Sequence, residues 1–202
     1  MKAAQFYGTK NVQINQIPSP VSRRGMVTID VAWCGTCGSD LHEYLEGPIF
    51  IPAVGHPHLA THEQIPVTVR HEFPGTVSAE GEGVTDLAVG DHVVVEPYFV
   101  CGVCAPCKQR RYNLCTSVGF IGLAGGGGGL SEEVVVYRRW VHPVGDIPLD
   151  QGQLSSNRFQ LLITPSSAVE QRPVIPRCRR PWPDRPAAVW CPQGRRPGRY
   201  RL

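Results

Sequence analysis

The sequence predicts a mainly β domain over residues 1–150 followed by an irregular tail over residues 151–202, and three observations carry that expectation. Short β-rich runs recur through the first 150 residues with Gly and Pro between them, the pattern of a small barrel or sandwich. Four cysteines crowd between Cys101 and Cys115, strained as disulfides but well suited to one ion. The charge then changes sign: residues 1–150 carry 10 Lys and Arg against 15 acids, a net of −5, whereas residues 151–202 carry 10 Arg against 2 acids, a net of +8. Such a break separates two kinds of sequence.

The elements follow from local patterns. Val27 to Ala32 alternates faces, with Val27, Ile29 and Val31 on one side, as a half-buried strand does. Ser39 to Leu45 is the one convincing short helix, with Ser39 or Asp40 as its cap. Thr76 to Ala79 reads as a strand leading into the Gly81-Glu82-Gly83 turn. In Leu87 to Val95 a Gly90-Asp91 turn precedes a β-branched run, and Glu133–Tyr137 and Trp140–His142 give two more strands. The run Gly125 to Gly129 lacks the strand before and helix after that a phosphate-binding turn needs, so it reads as a turn. His56, His58 and His62 fall in an expected surface insertion and receive no role. Residues 164–202 hold eight prolines and nine arginines, a density that supports neither a helix nor a central strand and has the composition of a disordered basic tail.

Cys101, Cys104, Cys107 and Cys115 have the spacing of one tetrahedral Zn²⁺ site, a closed structural centre that leaves no position for substrate. The spacing differs from the bacterial iron–sulfur run, and a disulfide framework would need an oxidising compartment. The N-terminal residues lack the apolar run of a signal peptide, and no window approaches a membrane-spanning length. The expected location is therefore the cytoplasm, with reduced thiols and no membrane partner.

Chemistry has to come from two other stretches. Cys34-Gly35-Thr36-Cys37-Gly38-Ser39-Asp40-Leu41-His42-Glu43-Tyr44 and His71-Glu72-Phe73-Pro74-Gly75, taken with Gly90-Asp91-His92-Val93, Glu96-Pro97-Tyr98 and the cysteine lobe, resemble the zinc-containing medium-chain alcohol and polyol dehydrogenases. Gly47-Pro48-Ile49-Phe50-Ile51-Pro52 and the Gly55-His56-Pro57-His58 insertion before Ile65-Pro66-Val67-Thr68 are similar to the (R,R)-butanediol branch of that family. The resemblance covers about residues 1–150. It implies a GroES-like barrel with a protruding four-cysteine zinc lobe, and a catalytic zinc held by Cys37, His71 and Glu72. Asp40 would hold the His71 imidazole in its ligating tautomer. Ser39 would take the alcohol proton and pass it towards His42, and Tyr44 would line the substrate pocket. Cys34 is expected to be a buried thiol outside the ligand set. The family implies NAD(H) and a small alcohol or diol such as butanediol or acetoin, and homo-oligomers; nucleic acid is not an expected partner.

Two departures from the family pattern stand out. Arg70 takes the place of the Gly directly before the zinc-binding His, a bulky cation that would alter the backbone and repel the ion. After Asp150, Gln151-Gly152-Gln153 replaces the family's Glu-Pro helix, and the Rossmann domain expected next is absent, so no cofactor-binding residues can be assigned. Read one base forward, Arg177 to Pro186 permits Val-Val-Val-Leu-Gly-Pro-Ile-Gly-Leu, a strand and glycine turn. The tail thus reads as frame-shifted nucleotide-binding sequence, and the chain as a truncated, weakly active or inactive dehydrogenase. The alternative is a non-catalytic zinc-binding module with a basic interaction tail.

Overall fold

A computed structural model describes residues 1–149. The tail, its frame-shift reading and the boundary at residue 150 lie outside the described residues. Among the described residues ten strands dominate, all paired antiparallel, with β7 (Tyr98–Phe99) and β8 (Gly119–Phe120) forming a two-stranded ladder of their own. β1 (Lys2–Gly8) pairs with β2 (Asn11–Gln16) and with β4 (Val67–Thr68), giving the order β2-β1-β4. A five-stranded sheet takes the order β10-β6-β5-β3-β9, from β3 (Met26–Val31), β5 (Pro74–Glu80), β6 (His92–Val95), β9 (Glu133–Tyr137) and β10 (Val141–Pro143). The sheets are stitched along one seam: Ala3 bridges Ser131, the Ala4 amide donates to the Leu130 carbonyl at 2.8 Å, and the Glu132 amide to that of Lys2 at 3.1 Å. The result is the mainly β body expected from the sequence.

The interior follows from β-branched alternation. Val27, Ile29 and Val31 are fully buried as predicted, and with Val77, Val93, Val134, Val136 and Val141 they make the main core. Thr28, on the other face of β3, is buried as well, because β3 lies between β5 and β9. A second cluster of Phe6, Ile51, Val67, Val69 and Leu123 fills the space beneath β1. One residue shows how tightly the central strands cross: a Cβ on Gly75 would meet the Asp30 carbonyl oxygen at 2.3 Å, so only glycine fits there.

Three expectations are corrected. The helix α1 spans Gly38–Glu46 and its N-cap is Cys37, not Ser39 or Asp40; Asp40 instead sits at the third helical position and accepts the Cys37 amide at 2.8 Å. A carboxylate reaching back from that position satisfies the N-cap residue's own N–H, the reciprocal half of a capping box in which the Cys37 side chain receives the Asp40 amide. The last strand begins at Val141, because Arg138–Trp140 form a 3₁₀ turn. The histidine loop is not wholly superficial: partly buried His58 approaches the Val118 carbonyl at 3.3 Å and receives the Ala60 amide at 3.2 Å.

Candidate functional site

The site grows from an extension of the β3–β5 pair. Beyond Val31 the chain keeps running beside β5: the Ala32 amide donates to the Pro74 carbonyl at 3.1 Å and the Gly35 amide to that of Glu72 at 2.8 Å. This carries Cys37, at the start of α1, against His71 and Glu72, just before β5. A Cβ on Gly35 would stand 3.1 Å from Glu72 Oε2, so the small residue lets the carboxylate lie close over the loop. Ligand atoms of Cys37, His71 and Glu72 all fall within 4.8 Å of one another.

The surroundings favour the charged forms of Cys37, Asp40 and His71. Burial pushes the Cys37 thiol up, but Ser39 and His71 beside it outweigh that, leaving it below the usual thiol range. Burial opposes ionisation of Asp40 too, yet His71, Arg70 and the Cys37 amide hold its carboxyl below the ordinary value. His71 is raised despite burial, because Asp40 and Cys37 favour the imidazolium. His71 Nδ1 stands 3.7 Å from Asp40 Oδ1, too far for a hydrogen bond. Both atoms, and the Ser39 hydroxyl, are buried with no hydrogen-bond partner among the described residues. With Nδ1 turned towards Asp40, the other ring nitrogen remains for a ligand. Soft thiolate, imidazole and carboxylate donors with room for one more form a set that suits zinc, so the residues present fit the metal that the sequence implies.

A second group lies apart. Cys101, Cys104, Cys107 and Cys115 are also within 4.8 Å of one another, and the Cys101 and Cys115 sulfurs are 3.6 Å apart. Four thiolates at the zinc–sulfur distance of about 2.3 Å would be about 3.8 Å apart. The lobe is folded for this: α2 (Ala105–Lys108) and a 3₁₀ turn (Tyr112–Leu114) bend it back on itself. The Cys101 amide points at the Cys115 sulfur at 3.3 Å and the Cys104 amide at that of Cys101 at 3.4 Å. Backbone amides of Cys107 and Thr116 lower the Cys104 thiol to about 6, whereas desolvation and the neighbouring Cys104 push Cys107 up to about 12. Tyr98, Tyr112, Phe120 and Trp140 pin the lobe to the core, with Tyr112 and Trp140 centroids 5.0 Å apart.

The family model for the alcohol dehydrogenase GroES-like domain matches residues 23–146. The chain belongs to that family. Over 155 residues it is 56% identical to the (R,R)-butanediol dehydrogenase of Neisseria gonorrhoeae and 50% identical to that of Bacillus subtilis, covering 76% of this chain but 44% and 43% of those proteins. The crystal structure of 2R,3R-butanediol dehydrogenase from Bacillus subtilis superposes with a TM-score of 0.69 at 49% identity, again over 76% of this chain and 43% of that one. The chain thus spans less than half the length of the curated relatives it matches. The GroES-like fold expected from the motifs is the fold observed.

The other predicted residues take varied places. His42 is exposed on α1, one turn beyond Ser39. Cys34 is buried at 3% exposure, its thiol driven far above the ordinary range by burial. Tyr44 lines a cleft of about 280 Å³ whose walls include Phe6, Asp40, Arg70 and Leu123 but none of the three clustered ligands. Arg70 donates to Asp40 Oδ2 at 3.1 Å. Sequence reasoning gave Glu43 no role: it is 1% exposed and its carboxylate accepts the amides of Ile49, Phe50 and Ile51. No sequence pattern signals it, because the three donors come from a loop that only the fold turns back over α1.

Proposed function

We propose that this chain supplies the zinc-dependent catalytic half of an NAD-linked dehydrogenase that oxidises a secondary alcohol or diol of the butanediol–acetoin type, and works in reverse. One observation carries the reading: Cys37, His71 and Glu72 converge, and Asp40 stands behind His71 with no partner on its inner oxygen. When bound, zinc would supply a Lewis acid for the alcohol oxygen and nicotinamide a hydride acceptor. The chain's own residues do the remainder. Cys37, His71 and Glu72 hold the ion and leave one position open. Asp40, its inner oxygen 3.7 Å from His71 Nδ1, is the carboxylate that would fix the imidazole tautomer on closer approach. The buried Ser39 hydroxyl takes the substrate's proton as it releases its own towards His42, which is exposed one turn along the same helix and hands a proton to solvent. Cys101, Cys104, Cys107 and Cys115 hold a second zinc with no open position, which orders the lobe. Tyr44 borders the substrate's approach, and the expected compartment is the cytoplasm.

A second reading, a non-catalytic zinc-binding module, has one observation in its favour: the Arg70 guanidinium sits on Asp40. Zinc-loaded chain incubated with NAD⁺ and 2,3-butanediol separates them. Zinc-dependent NADH formation that is lost in Cys37→Ser supports the dehydrogenase; two bound zincs without turnover support the module. A chain that binds no metal through Cys37 fits neither.

A further inference from the structure

Arg70 occupies a backbone position that suits glycine. Its φ is +84°, a region that disfavours any residue with a Cβ. Neighbours impose it: the Gly129 amide donates to the Arg70 carbonyl at 2.8 Å, and a Cβ on Gly122 would lie 2.0 Å from that same oxygen. The side chain brings a cation into the space between β4 and α1. The side chain is 21% exposed, and its guanidinium donates at 3.1 Å to Asp40, whose side chain is 6% exposed. The oxygen it uses, Oδ2, also accepts the Cys37 amide at 2.8 Å. The other oxygen, Oδ1, stands 3.7 Å from His71 Nδ1, and neither atom has a hydrogen-bond partner among the described residues.

We propose that Arg70 is a positioning residue that weakens metal binding at Cys37, His71 and Glu72 by drawing Asp40 away from His71, so that this is the labile one of the two metal sites. The proposal rests on the reading that those three residues hold zinc. A metal-bound histidine is oriented, and made more basic, by giving its second N–H to a carboxylate, and loss of such a partner costs roughly 10- to 100-fold in metal affinity. An arginine in salt bridge with that carboxylate is charged at every working pH and its planar fork holds the oxygen it engages. In the tetracysteine group the Cys101 and Cys115 sulfurs receive backbone amides.

The test is a zinc competition titration of the full chain against a chromophoric chelator under anaerobic conditions, with C37S to assign the weaker step. R70A and R70G are expected to tighten that step by about 10-fold or more and to leave the tetracysteine step unchanged. R70K, which keeps a cation near Asp40, is expected to stay close to wild type. Equal affinities in wild type and R70A overturn the proposal, as does a loss at both steps, the result for an arginine that merely supports the fold. If no variant shows a step that depends on Cys37, the underlying zinc reading falls and takes the proposal with it.

Discussion

Replacing Glu43 by alanine should destabilise the domain by about 3–5 kcal/mol, and the figure can be worked from its three acceptor contacts. The carboxylate accepts the Ile49 amide at 3.0 Å, the Ile51 amide at 3.2 Å and the Phe50 amide between them. A hydrogen bond to a charged group is worth about 1.5–3 kcal/mol net, so additive loss would approach 9 kcal/mol. Water reduces that. Ile49 and Phe50 are 52% and 59% exposed, so their amides can be rehydrated, whereas Ile51 is 2% exposed and its amide would stay dry. One full desolvation penalty plus two partial losses gives the lower range, still a large share of a typical 5–15 kcal/mol. E43Q keeps the shape but turns an N–H towards one donor, and should cost about 2–3 kcal/mol. Urea unfolding of the zinc-loaded chain at fixed free zinc measures both, because bound metal otherwise shifts apparent stability. Since α1 carries Cys37, Ser39 and Asp40 at its other end, E43A should also loosen the Cys37 metal step. A change below about 1 kcal/mol in E43A would refute the claim that this carboxylate anchors the loop.

Thiol reactivity should divide by environment: in metal-free protein at neutral pH, iodoacetamide should label Cys104, whose thiol is lowered to about 6, and spare buried Cys34. Mass spectrometry showing Cys34 labelled as fast as Cys104 would contradict this. Removing zinc from the tetracysteine lobe should change Trp140 emission, since Tyr112 and Tyr98 of that region stack 5.0 and 5.8 Å from its ring and Arg139 lies 4.7 Å above it. Emission unaffected by a chelator would show that the lobe holds its shape without metal. Tyr98 and Tyr112 are both raised above 10.0, first by burial and then by the Glu96 charge. Their contribution to stability is therefore full below pH 10 and falls away as the pH rises beyond it. Ultraviolet titration should find two tyrosines ionising late; uniform ionisation of all tyrosines near pH 10 would contradict it.

The fold was largely legible because burial in the main sheet follows β-branched alternation, and Glu133–Tyr137 forms as the sequence indicates. The first hairpin was harder to see. β2 exposes Val12 and Ile14 at 38% and 67%, so its apolar residues do not face the core and the periodic signal misleads. The helix cap was misplaced by two or three residues, since Ser39 and Asp40 are good caps in isolation and only the fold shows Asp40 bonding backward to Cys37. The two clusters of ligand-type side chains were legible through motif and spacing. What spacing could not convey was the role of Arg70, which depends on a left-handed backbone set by Gly122 and Gly129, fifty and more residues away.

The central claim is that Cys37, His71 and Glu72 form an open metal site separate from the closed tetracysteine site. Zinc content at saturating metal, measured for wild type and for C37S, tests it most directly. Two zinc ions per wild-type chain are expected, matching the two ligand groups among the described residues, and one in C37S, with an all-sulfur shell in its X-ray absorption spectrum. A single zinc in both proteins, with the same all-sulfur shell, would contradict it.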